Sequence, residues 1–368
     1  DMQRYVSQID DLGTGAKKAL DQLEENRNGL VGSDTFNASF FSGPRGTASD
    51  EAEARPAYLH DSPRVIPRTR PRTGLVVRRP LEGFHPLIYA EENTDFDESS
   101  GEDPLVHFLR TGRPAGRWKH EVLKPRETSE LSPVDLKVAV HGHFHYPELL
   151  SDFLSRLSGN RTPVDLLLTT TSAEKAAVLS DLVAKHDVSD ATIMVVENRG
   201  RDIGPMLNAL GASRFEHYDV IGHFHGKRSP HVDEAIGGGW REFLWQHLIG
   251  DDHPMMDLIL KCFAENPDVG LVFPEDPHLN DWDQNRLHAE QLAQRMGIAL
   301  PLPNHLDFPQ GTMFWARPDA LKPMFDLALA LDEFPSEPVP IDGTMLHALE
   351  RLLPFSANKM GYRYITSQ

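Results

Sequence analysis

The chain carries a single cysteine, Cys262, in 368 residues. One thiol excludes an internal disulfide framework and suits a reducing compartment. No apolar run approaches the length of a membrane span, and no signal peptide opens the chain. Its first residue is Asp1 rather than Met, so a processed or excised piece of a longer product is expected. Basic residues are scarce: 37 Lys and Arg stand against 55 Asp and Glu, a net charge of -18. That balance argues against a nucleic-acid binder, because phosphate backbones need basic surfaces. Of two common catalytic signatures, HExxH is missing, and no DxD closes the strand-like stretch YDVIGHFHGK.

What is present is a hydrophobic fraction of 39% beside 25% charged residues, which suffices for a core. Length allows two domains, or one large domain with extensions. Three regions follow along the chain. Residues 1–80 hold one helix-like stretch, AKKALDQLEENRN, and then Gly-, Ser-, Pro- and Arg-rich sequence of weak order. Within it, residues 61–80 carry six arginines and only one acid, Asp61. A solvated linker and an electrostatic strap for an anionic membrane face both fit that stretch. Residues 81–130 form a small helical module, with DPLVHFLRTG at helical spacing and a glycine stop. Residues 131–368 alternate strands and helices.

The third region carries the fold. LKVAVHGHF, VDLLLTTTS, ATIMVVE, YDVIGHFHGK and VGLVFPE are strand-like. PELLSDFLSRLSG, SAEKAAVLSDLVAKH with Ser172 as cap, GPMLNAL and MMDLILKCFAEN read as helices. This alternation predicts an α/β fold, a mostly parallel sheet with helices on both faces. Ligands in such sheets sit at the carboxyl ends of the strands. Polar clusters fall there: His141 to His145, Thr169 to Ser172 with Thr170 among them, Asn198 to Asp202, and His223 to Ser229.

The run ENRGRDIGPML is the densest. Arg199 and Arg201 are suited to chelate phosphate oxygens, and a helix opening near Gly204 would offer backbone N–H groups to the same anion. The competing reading is an Arg201–Asp202 ion pair that fixes a turn. Lys227 and Ser229 add donors at the next strand end. His141, His143 and His145 alternate on one strand, and His223 and His225 on another, so the two rows would converge if those strands are neighbours. Either a transition-metal site or hydrogen-bonding pocket histidines, His143 and His225 among them, would result. Farther on, GTMFWARPDAL passes Gly311 into an aromatic strand, and IDGTMLHALERL places Asp342 at the head of a helix. Trp240 and Trp245 read as packing residues before they read as an acceptor groove.

The stretch from about Lys137 to Tyr362 resembles the rhamnan synthesis protein F family of bacterial polysaccharide glycosyltransferases. VDLLLTTTS, ENRGRDIGPML, HGKRSP, GWREFLWQHLIG, GLVFPE, GTMFWARPDAL and DGTMLHALERL carry the resemblance. The upstream DPLVHFLRTGRPAGRW is similar to a small module that precedes such domains. The resemblance implies a GT-A-like, Rossmann-like domain that moves a sugar such as rhamnose from a nucleotide-sugar donor to a growing glycan acceptor. It implies an inverting mechanism with Asp342 as general base, Glu337 behind it and His347 about one turn on. With no DxD at the end of the fourth strand, a divalent metal stays open: Lys227, Arg199 and Arg201 take its place, or Asp202 holds one. Thr170, Asn198, Asp202, His143, His225, Ser229 and Gly311 complete the expected donor site. The implied setting is the inner face of the cell membrane, in the cytoplasm, beside other polysaccharide assembly enzymes. A metal-dependent hydrolase built on the histidine rows and a non-catalytic glycan-binding module are the rival functions.

Overall fold

The computed structural model describes residues 77–79, 81–97, 102–125, 131–186, 191–226 and 234–368. The helix-like stretch near residue 20 and most of the arginine-rich stretch lie outside them, as do Lys227, Arg228 and Ser229. The chain divides into two compact units. The smaller takes its described residues from the segment ending at His120, from Asp276–Asp281 and from Asn304–Leu306. The larger comprises Glu121–Glu275, Trp282–Pro303 and Asp307–Gln368.

The small unit is built on two seven-residue helices, Pro86–Glu92 and Pro104–Arg110. Both begin with proline, whose missing N–H is harmless in a first turn. Both are capped from the side chain before it. Ile88 N donates to His85 Nδ1 at 3.1 Å, and Leu105 N to Asp103 Oδ1 at 2.9 Å. Their apolar faces bury an aromatic cluster of Phe84, Tyr89, Phe96, Phe108 and Trp118. Phe84 stacks on Phe108 with ring centroids 4.3 Å apart. The strands Val77–Arg78 and His278–Leu279 pair antiparallel in the same unit.

The large unit is an eight-stranded sheet. In chain order its strands are β1 (Val122–Leu123), β2 (Val138–His143), β3 (Asp165–Thr170), β4 (Ala191–Val195), β5 (Val220–His225), β6 (Val269–Pro274), β7 (Phe314–Ala316) and β8 (Arg363–Ser367). Across the sheet they run β1-β8-β6-β7-β5-β2-β3-β4. All neighbours are parallel except β7, which lies antiparallel between β5 and β6. The mixed α/β reading with a mostly parallel sheet therefore holds.

Alternation along the strands divides the side chains between two faces. Val138, Val140, Leu166, Leu168, Val220 and Phe224 join one large apolar core. Helices α1 (Leu150–Leu157), α2 (Ala173–Lys185), α3 (Glu234–Leu248) and α4 (Met255–Glu265) contribute Phe153, Leu179, Trp245 and Ile259 to it. Ser172 caps α2 by accepting from Lys175 N at 3.3 Å, as the sequence implied. The opposite set, Ala139, His141, His143, Leu167, Thr169, Ile221, His223 and His225, is buried as well.

Strand order locates the functional end. The chain builds outward from β2 to β3 to β4 and then returns to place β5 on the other side of β2. The crevice between β2 and β5 is thus a topological switch point, where open α/β sheets hold their ligands at the carboxyl ends. A cavity of about 700 Å³ opens at the other end of the sheet, lined by Lys137, Val138, Asp165, Arg214 and Tyr218. Its place at the amino ends makes it the weaker candidate.

Candidate functional site

The histidine rows converge because β2 and β5 are neighbours in register, His141 opposite His223 and His143 opposite His225. His141 Nδ1 lies 2.9 Å from His223 Nδ1. On β3, Thr169 stands opposite His143, and its Oγ1 lies 3.0 Å from both His141 Nε2 and His143 Nδ1. His223 Nε2 in turn faces Asp202 Oδ2 at 3.4 Å. One unbroken chain results: His143, Thr169, His141, His223, Asp202. Every member is buried, His223 and Thr169 completely.

Burial sets the chemistry. Desolvation pushes His141 well below the ordinary imidazole range, helped by His223 and His143, with Asp202 opposing. His143 is lowered to about 4, again by desolvation first, and Asp202 pulls the other way. Both rings are therefore neutral near pH 7. His145 lies past the end of β2 and leaves the row. It meets Thr171 and Lys175, and burial followed by the Lys175 charge lowers it too.

His225 takes a separate partner. Its Nε2 donates to Gly311 O at 2.6 Å, and Gly311 N donates to Glu350 Oε1 at 2.6 Å. Gly311 has φ +88°, and a Cβ there would come within 2.7 Å of the Trp240 ring. Only glycine fits that corner. Trp245 is wholly in the core, and Trp240 is half-buried beneath Gly311, so the packing reading of both holds.

The ENRGRDIGPML turn is strained. Gly200 has φ 76° and Arg201, a non-glycine residue, φ 51°. Such left-handed positions are uncommon outside glycine and gather at functional sites. Arg199 donates to Phe334 O at 2.7 Å and Asp332 O at 2.9 Å. Arg201 donates to Val339 O at 3.0 Å and Pro340 O at 3.1 Å, and reaches His347 Nε2 at 3.5 Å. The two guanidinium groups strap down the 332–340 loop. Carbonyl partners do not neutralise them, so both positive charges remain. Among the described residues Arg201 makes no ion pair with Asp202, whose carboxylate is turned to His223. The ion-pair reading of this turn is corrected on that ground.

The helix expected after the turn is also different. Pro205–Leu210 is a π-helix, and the adjoining Gly204 N–H is already donated to Gly200 O at 2.8 Å. Pro205 has no N–H at all. The helix start therefore offers an anion fewer donors than the motif suggested. π-Helical turns are themselves frequent at functional sites.

Thr170 lies on the other face of β3 from Thr169 and donates to Phe144 O at 2.8 Å, away from the histidines. The residue that joins them is Thr169. Register was the signal that identifies it, since His143 and Thr169 are cross-strand neighbours. Asn198 is exposed at the turn. Glu350, Thr344 and the 332–340 loop also belong to this neighbourhood without any local signature.

Asp342 precedes rather than opens its helix: α5 is Met345–Lys359, with Thr344 as cap. Its carboxylate accepts from Asn285 Nδ2 at 2.6 Å and Gln284 N at 3.3 Å. Burial pushes its pKa up, but the Asn285 bond and the backbone N–H groups of Gly343 and Gln284 prevail and hold it below the usual carboxylate range. Glu337 is exposed and accepts from Val339 N at 3.0 Å. His347, on the first turn of α5, lies 2.8 Å from Thr344 Oγ1 and beside Arg201.

Among the described residues no group of three or more His, Cys, Asp or Glu side chains is arranged to hold a metal ion. The donor chemistry agrees, since His141 and His223 each engage both ring nitrogens within the chain of hydrogen bonds. A metal bound to those two rings would have to displace these bonds, which weakens the hydrolase alternative.

A family model described as rhamnan synthesis protein F matches residues 89–362. Two curated relatives carry the name Uncharacterized protein WxcX, from strains B100 and ATCC 33913 of Xanthomonas campestris pv. campestris. Each is 33% identical over 312 residues, 84% of this chain and 44% of the relative. The chain thus spans less than half the length of the curated relatives it matches.

Proposed function

The chain belongs to the rhamnan synthesis protein F family, and from that premise we propose that it is a GT-A-like glycosyltransferase. It moves a sugar, rhamnose or another deoxyhexose, from a nucleotide-sugar donor to a growing bacterial surface polysaccharide. One observation carries this reading. Two guanidinium groups with no carboxylate partner among the described residues, Arg199 and Arg201, stand on a strained turn that also supplies Asp202 to the β2–β5 switch point. A departing nucleoside diphosphate needs such fixed positive groups, and the switch point is where a nucleotide is held.

In this reading Arg199 and Arg201 face the diphosphate and stabilise the charge that develops as the glycosidic bond breaks. Asn198 lies at the same turn, and Gly311 with His225 borders the crevice. Lys227 and Ser229, outside the described residues, are carried as further phosphate donors from the sequence alone. The reaction also needs a group that accepts the proton of the attacking hydroxyl. The resemblance puts Asp342 forward. That carboxylate already accepts two N–H groups, which lowers its affinity for a proton. Asp342→Asn decides its part, because a base lost at that position leaves donor binding intact and turnover far slower.

Among the described residues no helix is long and apolar enough to cross a membrane. We place the reaction at the cytoplasmic face of the cell membrane, with peripheral attachment and other polysaccharide assembly enzymes as partners. The test is a thermal-shift panel of nucleoside diphosphates and their sugars, with EDTA and with Mg²⁺, Mn²⁺ or Zn²⁺. Stabilisation by one nucleoside diphosphate supports transfer and names the base; persistence in EDTA gives the arginines the role of a metal. Stabilisation by zinc alone sinks the proposal in favour of a hydrolase.

A further inference from the structure

With every ring in it neutral, the buried chain of hydrogen bonds takes one direction, traced atom by atom from the carboxylate at its end. Asp202 as a carboxylate only accepts, so His223 Nε2 carries a hydrogen toward it. With His223 neutral, its Nδ1 is then a lone pair, and His141 Nδ1–H donates to it. His141 Nε2 is left as an acceptor and takes the Thr169 hydroxyl hydrogen. The Thr169 oxygen accepts in turn from His143 Nδ1–H. His143 therefore presents Nε2 as a lone pair, with no partner among the described residues, at the carboxyl end of β2. The outward nitrogen is a proton acceptor.

We propose that His143 Nε2 takes the proton of the attacking acceptor hydroxyl, and that Thr169 and His141 relay a proton on to His223, beside the carboxylate of Asp202. The proposal rests on the transferase reading above and adds the base to it. Atoms and charge balance at each step. The acceptor O–H bond breaks as its oxygen bonds to the anomeric carbon, and the nucleoside diphosphate leaves with the electrons of the old glycosidic bond. The hydroxyl proton binds His143 Nε2. The His143 Nδ1 proton moves to Thr169, the Thr169 proton to His141 Nε2, and the His141 Nδ1 proton to His223 Nδ1. His223 ends as an imidazolium against Asp202, and His143 and His141 end neutral. Burial disfavours a lasting charge on His143 or His141, and the relay delivers that charge to His223, the ring beside the one carboxylate on the chain. His143 is the catalytic residue here; Thr169, His141, His223 and Asp202 position and relay.

The groups that act on His143 are Asp202, which favours its protonation, and His225, His223 and His145, which oppose it.

The test compares wild type with Thr169→Val, Thr169→Ser, Asp202→Asn and Asp342→Asn, using the nucleotide sugar that the thermal-shift panel identifies. Expected is a kcat lower by about 100-fold in Thr169→Val, with KM and nucleotide stabilisation unchanged, and recovery to within about tenfold in Thr169→Ser. If Thr169→Val does not fold, Asp202→Asn carries the same expectation with its charge alone removed. Wild-type turnover in Thr169→Val, or loss of turnover in Asp342→Asn alone, overturns the relay. Absence of any nucleotide binding in wild type instead overturns the transferase reading. The relay is then judged by ¹⁵N NMR of the protein alone. A bare Nε2 and protonated Nδ1 on His143 support it, and the reverse tautomer refutes it.

Discussion

Replacing Arg201 by alanine separates what the side chain does for the fold from what it does for a ligand. Arg201 is half-buried and donates to Val339 O at 3.0 Å and Pro340 O at 3.1 Å. Hydrogen bonds from a charged donor contribute roughly 1.5–3 kcal/mol each where buried. The Val339 bond is partly buried and the Pro340 bond exposed, so the pair contributes about 2 kcal/mol after solvent screening. In a domain of this size that corresponds to a fall in Tm of roughly 4–8 °C. Arg201→Ala should therefore unfold earlier by that amount. It should also lose most of the stabilisation that a nucleoside diphosphate confers, measured as the shift on ligand addition relative to the variant's own Tm. A Tm within 1 °C of wild type would refute the loop-strap account. Full retention of the ligand shift would refute the phosphate role, and the two outcomes are independent of each other. Because Arg201 sits at φ 51°, Arg201→Gly should be more stable than Arg201→Ala by roughly 1 kcal/mol, which checks the backbone part of the argument.

Thr170→Val, on the far face of β3, should lower stability by about 1 kcal/mol through its lost bond to Phe144 O, with little change in turnover; a collapse of turnover would mean that the two threonines had exchanged faces. Gly311→Ala forces a non-glycine residue to φ +88° and a methyl against Trp240 and Leu244. Its denaturant midpoint should report a loss of about 2–4 kcal/mol, and a loss under about 0.5 kcal/mol would contradict the contact. Acid should destabilise the large unit through its histidines. His141 and His143 have lowered native pKa values, so the unfolded chain binds more protons below its ordinary histidine value, and stability present above about pH 6.5 is lost as pH falls toward 4. Guanidinium titrations at pH 7.5, 6 and 5 should show little change at first and then a slope approaching about 1.4 kcal/mol per pH unit for each such histidine between pH 6 and 5, flattened in His143→Gln.

Much of this molecule was legible in its residues. Alternating strand and helix patterns with a cap such as Ser172 are local consequences of side-chain periodicity and backbone chemistry, and the chain folds accordingly. The strand period of two also put His141 and His143 on one face of their strand, and His223 and His225 on one face of theirs. The family resemblance was legible too, because ENRGRDIGPML and DGTMLHALERL are contiguous strings. The antiparallel insertion of β7 between β5 and β6 has no local signature, since a three-residue strand reads alike in either direction.

The site needed the tertiary structure. Which threonine of VDLLLTTTS meets the histidines depends on the register of β3 against β2, and a shift of one residue would have exchanged Thr169 for Thr170. The Arg199 and Arg201 partners lie more than a hundred residues away on a loop whose position is set by packing. Asp342 was visible as an acid ahead of a helix, but its bonds to Gln284 and Asn285 come from a distant segment. The polarity proposed for the histidine chain rests on one carboxylate at its far end and on neutral rings between, neither of which any local motif marks. Sequence determined which side chains could join a hydrogen-bonded chain; only the fold, by bringing β2, β3 and β5 side by side, decided which of them do.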